Sequence, residues 1–478
     1  MAKHFTVSRR DFLRTSAIGT AGLAMGAHSP MVAPSDRITI GMIGSGARAH
    51  RLVEVLQQFP EVEVVAACDA YKGRLERMKS RTGGRADTMA DYREIINRDE
   101  IDAVVISSPD HWHYQHSVDS LNAGKHAYIE KPLTYSIEEG NGIVEAQRRN
   151  NLVVQVGSSG PNSVLVQKAR QMIREGKLGQ VTMIRSTTNR NTASGAWIYP
   201  IPPDASPNTV DWDLFLGSAP KIPYSPERFF RWRCYKDYSG GLSTDLYVHT
   251  CTTINYLMGA GIPESVIAMG DLYRWTRSRD VPDTINASLK YSGGFMVNLS
   301  GTFNNQEGNS GGMRILGTEG SLVFGGGLRF IPERVNEGNR WITNSWPEAL
   351  EDAYLVDPAV RQEEMPSTRT PATVAGEEVY HAEGKDSLTV HVQEWLDAIR
   401  KGTPTKQDAE VGHRAAACAH MINASMEMET MVHWRNGQSL ITKSSDLQKR
   451  KNNVFLNDSR QALPGLLFLS FIMAGQRT

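Results

Sequence analysis

One short run constrains the fold of this 478-residue chain more than any other. The apolar segment Ile38-Thr39-Ile40-Gly41-Met42-Ile43 passes directly into Gly44-Ser45-Gly46-Ala47-Arg48-Ala49. The first part reads as a buried strand, and the G-x-G-x-x-A that follows opens a helix. Gly44 permits a tight turn, Gly46 lets a pyrophosphate approach the backbone, and Ala49 allows close helix–strand packing. The free N–H groups of the helix start then face the phosphates. A second apolar run, 62–67, leads into Cys68-Asp69, so that Asp69 stands 23 residues after Gly46. A carboxylate there accepts both hydroxyls of an adenosine ribose and repels a 2′-phosphate, which favours NAD over NADP. Arg74, close by in sequence, leaves NADP open.

Apolar runs continue at 103–106, 127–129 and 153–156, with helix-period segments at 51–58, 91–97, 115–122 and 137–149 between the runs. Strand–helix alternation predicts a doubly wound parallel sheet. Past Val156 the alternation stops. Strand-like segments at 182–188, 266–269, 285–291, 295–303 and 313–316 follow one another with turn residues between. That pattern predicts an α+β domain built on a mostly antiparallel sheet. Residues 324–384 read as loop excursions, and 390–400 and 409–431 as helices. The expected organisation is a leader at 1–33, a dinucleotide domain at 36–156, a second domain at 157–435 and a peripheral tail at 436–478.

The ends differ from the body. Ser8-Arg9-Arg10-Asp11-Phe12-Leu13-Arg14 precedes a short, weakly apolar stretch, the pattern of a twin-arginine export signal. The expectation is export of the folded chain by the twin-arginine machinery, to a periplasmic or secreted location. Leu463 to Ala474 is apolar but 12 residues long, short of the roughly 20 needed to span a bilayer. The chain carries 52 basic and 52 acidic residues, but the stretch 34–440 holds 42 against 49. An acidic body excludes a protein built around a nucleic-acid backbone. Four cysteines without a C-x-x-C pair exclude a disulfide scaffold and a structural zinc site.

Further candidates lie past the strand ends, where such sheets bind ligands. Ser108-Pro109-Asp110-His111-Trp112-His113 follows the run at 103–106, and Glu130-Lys131-Pro132 follows the run at 127–129. His111, His113 and His116 have no carboxylate or cysteine cluster beside them. They read as packing or nicotinamide contacts, and no metal site is expected. Gly240 to Thr244 reads as a turn and cap for a helix over 246–258, which puts Asp245 and His249 on one helix face. An aspartate beside a histidine raises the imidazole's basicity, which makes His249 a proton acceptor near neutral pH. Trp197, Tyr199, Trp232, Tyr235 and Tyr247 are core residues or stacking surfaces for a sugar ring.

Together these motifs resemble the Gfo/Idh/MocA oxidoreductases. Gly44-x-Gly46-x-x-Ala49, Asp69, Ser108-Pro109-x-x-x-His113, Gly124-Lys125-His126 and Glu130-Lys131-Pro132 carry the resemblance in the first domain. Gly176-Lys177-Leu178-Gly179, Asp211 to Gly217, Asp245-x-x-x-His249 and Gly317-Thr318-Glu319-Gly320 carry it in the second. The resemblance implies a Rossmann domain plus a substrate domain with a large open sheet, often used for oligomer contacts, so a homodimer or homotetramer is expected. It assigns cofactor contacts to Gly44, Gly46, Ala49, Asp69, Ser108, Pro109, His113, Glu130 and Lys131. It makes Lys131, Asp245 and His249 catalytic, with Lys131 stabilising negative charge on a sugar or polyol hydroxyl. Ser158-Ser159-Gly160-Pro161-Asn162 departs from the arginine or tyrosine often found after the sixth strand.

Three functions compete. The first is an exported NAD(P)-dependent oxidoreductase acting on a sugar, polyol or glycoside hydroxyl, with a tightly bound cofactor. The second is an NAD-dependent glycosidase that oxidises its sugar transiently. The resembling α-N-acetylgalactosaminidases carry valine where this chain has Lys131, which disfavours that subgroup. The third is a non-catalytic sugar or nucleotide sensor, disfavoured by retention of Lys131, Asp245 and His249.

Overall fold

The computed structural model describes residues 37–307, 312–333, 340–360, 376–435 and 438–441. The expected leader at 1–33 and the apolar run 463–474 lie outside the described residues. No helix among the described residues is long and apolar enough to cross a membrane.

The first sheet contains β1 (Ile38–Ile43), β2 (Val62–Cys68), β3 (Asp87–Met89), β4 (Ala103–Ile106), β5 (His126–Ile129) and β6 (Val154–Val156). Its order is β3-β2-β1-β4-β5-β6, and all its pairings are parallel. The order reverses between β1 and β4, which opens a crevice at the carboxyl ends of the strands. Apolar residues on both faces of the central strands explain the continuous hydrophobic runs: all four residues of β4 are buried.

The second sheet has ten strands. They are β7 (Val181–Asn189), β8 (Ser265–Asp271), β9 (Thr284–Lys290), β10 (Met296–Thr302), β11 (Met313–Gly317), β12 (Gly320–Phe324), β13 (Leu328–Pro332), β14 (Glu378–Tyr380), β15 (Val432–Arg435) and β16 (Gln438–Ile441). The order is β14-β13-β12-β11-β7-β10-β9-β8-β15-β16, and only the β7–β10 pair is parallel. Along β9, Ile285, Ala287 and Leu289 are buried and alternate with exposed residues. One face of this sheet therefore packs on helices, including 409–428 through Cys418, Met421 and Ile422.

The helix Ser387–Lys401 comes from the far end of the chain yet covers the Rossmann sheet. Val392, Trp395 and Leu396 share a core with Ile38, Ile40, Met42 and Tyr128. Truncating the fully buried Trp395 to alanine costs about 3–5 kcal/mol at such a site. Asp386 caps this helix by accepting the backbone N–H groups of Leu388 and Thr389.

Several expectations need correction. The helix Lys72–Arg81 and the edge strand β3 were not expected, because only Met78 of that helix is buried and β3 has no apolar run. Residues 324–384 are not loop alone: they contain β13, β14 and the helices Arg340–Thr343 and Glu348–Val356. The segment around His113 is helical from Asp110 onward. The helix expected over 246–258 begins as a π turn, Ser243–Tyr247, and becomes α-helical at Val248–Met258.

Candidate active site

A cavity of about 640 Å³ opens at the crevice between β1 and β4. Gly44, Ser45, Gly46, Asp69, Ser108 and Pro109 line it on one side, and Tyr199, Phe215, Phe229, Phe230 and Trp232 on the other. Gly44 has φ +88, and a Cβ on it would stand 2.8–2.9 Å from the backbone of Ser107 and Ser108. Only glycine fits both demands. A Cβ on Gly46 would meet nothing within 4 Å, so the space above it is free for a ligand. The Asp69 carboxylate accepts the backbone N–H of Ser45 at 2.8 Å and of Tyr71 at 2.9 Å. Arg74 lies 3.5 Å from the same carboxylate and places its guanidinium over the rings of Phe229 and Phe230. This bare glycine cradle, with an acid at its adenosine end and an apolar opposite wall, fits NAD.

The second group of residues lies past β5. Lys131 Nζ donates to Asp245 Oδ1 at 2.7 Å and to the Asp245 backbone oxygen at 2.8 Å. Arg233 Nε donates to the same Oδ1 at 3.1 Å, and its guanidinium stacks 4.1 Å from the centre of the Trp232 ring. Asp245 is buried. Burial pushes its pKa up, but the adjacent Lys131 and Arg233 charges outweigh that and hold it well below the usual carboxylate range.

His249 departs from expectation. Its ring reaches solvent, yet protein encloses it at longer range. Burial and then the Lys131 charge lower its pKa, toward about 3, while Asp245 pulls the other way too weakly. Asp245 was expected to raise the basicity of His249. Its charge is instead balanced by Lys131 and Arg233, and the imidazole is neutral throughout the physiological range.

The other predicted residues divide by place. Ala49 is fully buried beneath the glycine turn. His113 is buried and off the cavity: its Nδ1 lies 2.6 Å from the Pro132 oxygen and its Nε2 2.9 Å from the Ser108 oxygen. It ties the Ser108-Pro109 loop to the Glu130-Lys131-Pro132 loop. Glu130 is also buried, in an ion pair with Arg48 at 2.6 Å. Its carboxylate fills the space beside Gly157, where a Cβ would stand 2.7–3.0 Å away. His111 and His116 are buried as well, and no metal-binding cluster occurs among the described residues. Among the aromatics, Trp197 belongs to the core against Phe303, and Tyr235 and Tyr247 are buried too. Only Tyr199 and Trp232 of that set line the cavity.

A profile described as "Oxidoreductase family, NAD-binding Rossmann fold" matches residues 38–158, and one for the GFO/IDH/MocA C-terminal domain matches 221–323. The chain belongs to the Gfo/Idh/MocA family. Among its relatives, "Glycosyl hydrolase family 109 protein 1" of Shewanella sp. strain ANA-3 is 31% identical over 206 residues, covering 37% of this chain and 44% of that protein. The "Alpha-N-acetylgalactosaminidase" of Shewanella oneidensis is 30% identical over 206 residues, with the same coverage of both chains. The match thus spans less than half the length of these relatives. Levoglucosan dehydrogenase with NADH and levoglucosan superposes with a TM-score of 0.62 at 19% identity, over 83% of this chain and 99% of that one. The WlbA dehydrogenase of Bordetella pertussis, with NADH and UDP-GlcNAcA, superposes at 0.60 and 18% identity, over 84% and 99%. At these identities the superpositions speak for a shared fold alone.

Two cavity-lining positions escaped the sequence reading. Arg48 lies inside the G-x-G-x-x-A motif itself, where its reach to Glu130, 82 residues away, carries no local signal. Arg233 lies in the run Arg231-Trp232-Arg233, and its tie to Asp245 depends on the π turn that no periodicity announced.

Proposed function

We propose that this chain is an NAD-dependent oxidoreductase that removes a hydride from a hydroxyl-bearing carbon of a sugar, polyol or glycoside. The carrying observation is the Lys131–Asp245–Arg233 cluster past the strand ends that also carry the glycine cradle. When bound, the nicotinamide supplies the hydride acceptor. Gly44, Gly46, Asp69, Ser108 and Pro109 would hold the cofactor. Two of the three Lys131 N–H donors are engaged by Asp245, which leaves one for a substrate hydroxyl. That contact orients the hydroxyl and stabilises negative charge as its proton leaves. His249, neutral and exposed, would relay the proton to water, and its lowered basicity makes it a transient carrier rather than a strong base.

Oxidation-assisted glycoside cleavage is the second reading, favoured by the identity to the α-N-acetylgalactosaminidase and opposed by Lys131. Product analysis of the loaded protein on matched free sugars and glycosides separates the two. Oxidised sugar with the glycosidic bond intact supports dehydrogenation, and a freed aglycone supports cleavage. A protein that binds sugar but turns over neither set is a sensor.

The Ser8-Arg9-Arg10 run supports export after folding, a route suited to a protein that acquires NAD in the cytoplasm. Replacing both arginines with lysine should then retain the chain inside the cell. Exposed Ile267, Met269 and Met296 on β8 and β10 support self-association, which a mass measurement in solution tests.

A further inference from the structure

One buried carboxyl group is used by neither the cofactor cradle nor the lysine cluster. Asp110 opens the helix Asp110–Asn122 directly after Pro109 and is 2% exposed. Its Oδ2 accepts the Ser239 hydroxyl at 2.9 Å, and Ser239 Oγ in turn accepts the Gly241 backbone N–H at 3.2 Å. Gly241 has φ +69 with Val281 side-chain atoms 2.9–3.3 Å from where a Cβ would stand, so the chain has little freedom there. Two residues later begins the π turn that carries Asp245. A path of two hydrogen bonds thus runs from the loop at the cofactor cavity to the turn that holds the lysine's partner.

We infer that Asp110 is a positioning residue, which through Ser239 and Gly241 fixes the turn that aims Asp245 at Lys131. The groups facing it are Arg233 from the turn 232–234, Asp245 from the π turn, Lys131 from the loop after β5, and Tyr135. Burial pushes Asp110 up, to about 7, with Asp245 reinforcing and Arg233 and Lys131 opposing. Asp110 therefore gains its charge near neutrality, and once charged it competes with Asp245 for Arg233 and Lys131.

The placement can be tested without a substrate, although its bearing on turnover rests on the role proposed for Lys131. The full-length protein is pulsed with acetic anhydride at pH 6 and pH 8, and acetylation of Lys131 is measured by peptide mass spectrometry against the exposed Lys221 and Lys401. In the parent, Lys131, with its side chain 10% exposed and held by Asp245, should react about tenfold more slowly than these references, the effect of one charge-assisted hydrogen bond. Asp110→Ala and Ser239→Ala should each raise its rate about fivefold, the loss of one hydrogen bond. The double variant should exceed neither single one, because both act on one path. Asp110→Asn should match the parent at pH 6, since its amide oxygen still accepts the Ser239 hydroxyl, and its rate relative to Lys221 and Lys401 should not show the difference between pH 6 and 8 that charging of Asp110 gives the parent. If Asp110→Ala does not fold, Ser239→Ala carries the test alone. The inference is overturned if the folded variants label Lys131 at the parental rate, or if the effects of the two substitutions add. Hydride transfer is assayed separately, so the proposed function and this placement can fail independently.

Discussion

The Lys131 ammonium group touches Asp245 twice, at 2.7 Å from carboxylate Oδ1 and 2.8 Å from the backbone oxygen. One residue thereby fixes both the charge and the direction of the lysine. Removing Asp245 leaves the Lys131 ammonium without its counterpart, which is costly, whereas removing Lys131 leaves Asp245 paired with Arg233 at 3.1 Å. Lys131→Met should lower hydride transfer by about 10²–10⁴-fold and leave NADH binding within a few-fold of the parent. Single-turnover kinetics with a fluorescence titration of NADH separates the two effects. Loss of cofactor binding instead would make Lys131 a cofactor ligand.

The two glycines of the turn should fail differently. Gly44→Ala strains φ +88 and drives a Cβ into the Ser107–Ser108 backbone. It should cost about 1–3 kcal/mol of stability. Gly46→Ala meets only open space in the protein, so its melting temperature should stay near the parent's. Its added methyl occupies the approach of the pyrophosphate, and NADH affinity should fall by at least about tenfold. Equal affinity in Gly46→Ala and the parent would remove the cofactor from this turn.

On the proposed function, Asp69 would set the choice of dinucleotide. Asp69→Ser removes the carboxylate and leaves Arg74 free to meet a 2′-phosphate. NADH should bind about tenfold more weakly, and the preference over NADPH should narrow or reverse. Calorimetric titration of both reduced dinucleotides reads this directly.

Acid should loosen the fold before most carboxylates titrate. His391 is fully buried, with ring nitrogens 2.8 Å from the Asn162 side chain and 2.9 Å from the Val156 oxygen. Burial lowers its pKa to about 4, and that of His420 likewise. The unfolded chain, with histidines near 6.5, binds more protons than the folded one below that pH. This stability is therefore complete above about pH 6.5 and is lost progressively as pH falls toward about 4. Each such histidine contributes on the order of 3 kcal/mol at most. Urea midpoints at pH 7 and pH 4.5 should differ accordingly, and His391→Gln should reduce the difference.

The Rossmann half was legible because its strands are buried on both faces and its turn chemistry is local. Gly44, Gly46 and Asp69 take their meaning from neighbours within a single strand–turn–helix unit. Contacts between distant segments were not legible. Trp395 completes the first core from a helix more than two hundred residues past β6, and no periodicity states which sheet a helix covers. The same holds for Arg48 with Glu130 and for Asp110 with Ser239. The reading of His249 erred because the sequence shows a charged neighbour four residues away but neither the protein that encloses the exposed ring at longer range nor the Lys131 and Arg233 charges that balance Asp245.

The central claim is that the chain binds a nicotinamide and reduces it at the expense of a carbohydrate hydroxyl. The most direct measurement loads the purified full-length protein with NAD, adds a panel of sugars, polyols and glycosides one at a time, and follows the near-ultraviolet absorbance of reduced nicotinamide. The account predicts that at least one compound produces this absorbance in the parent and not in Lys131→Met. Failure of the protein to take up NAD at all, or equal reduction by the parent and Lys131→Met, would contradict it.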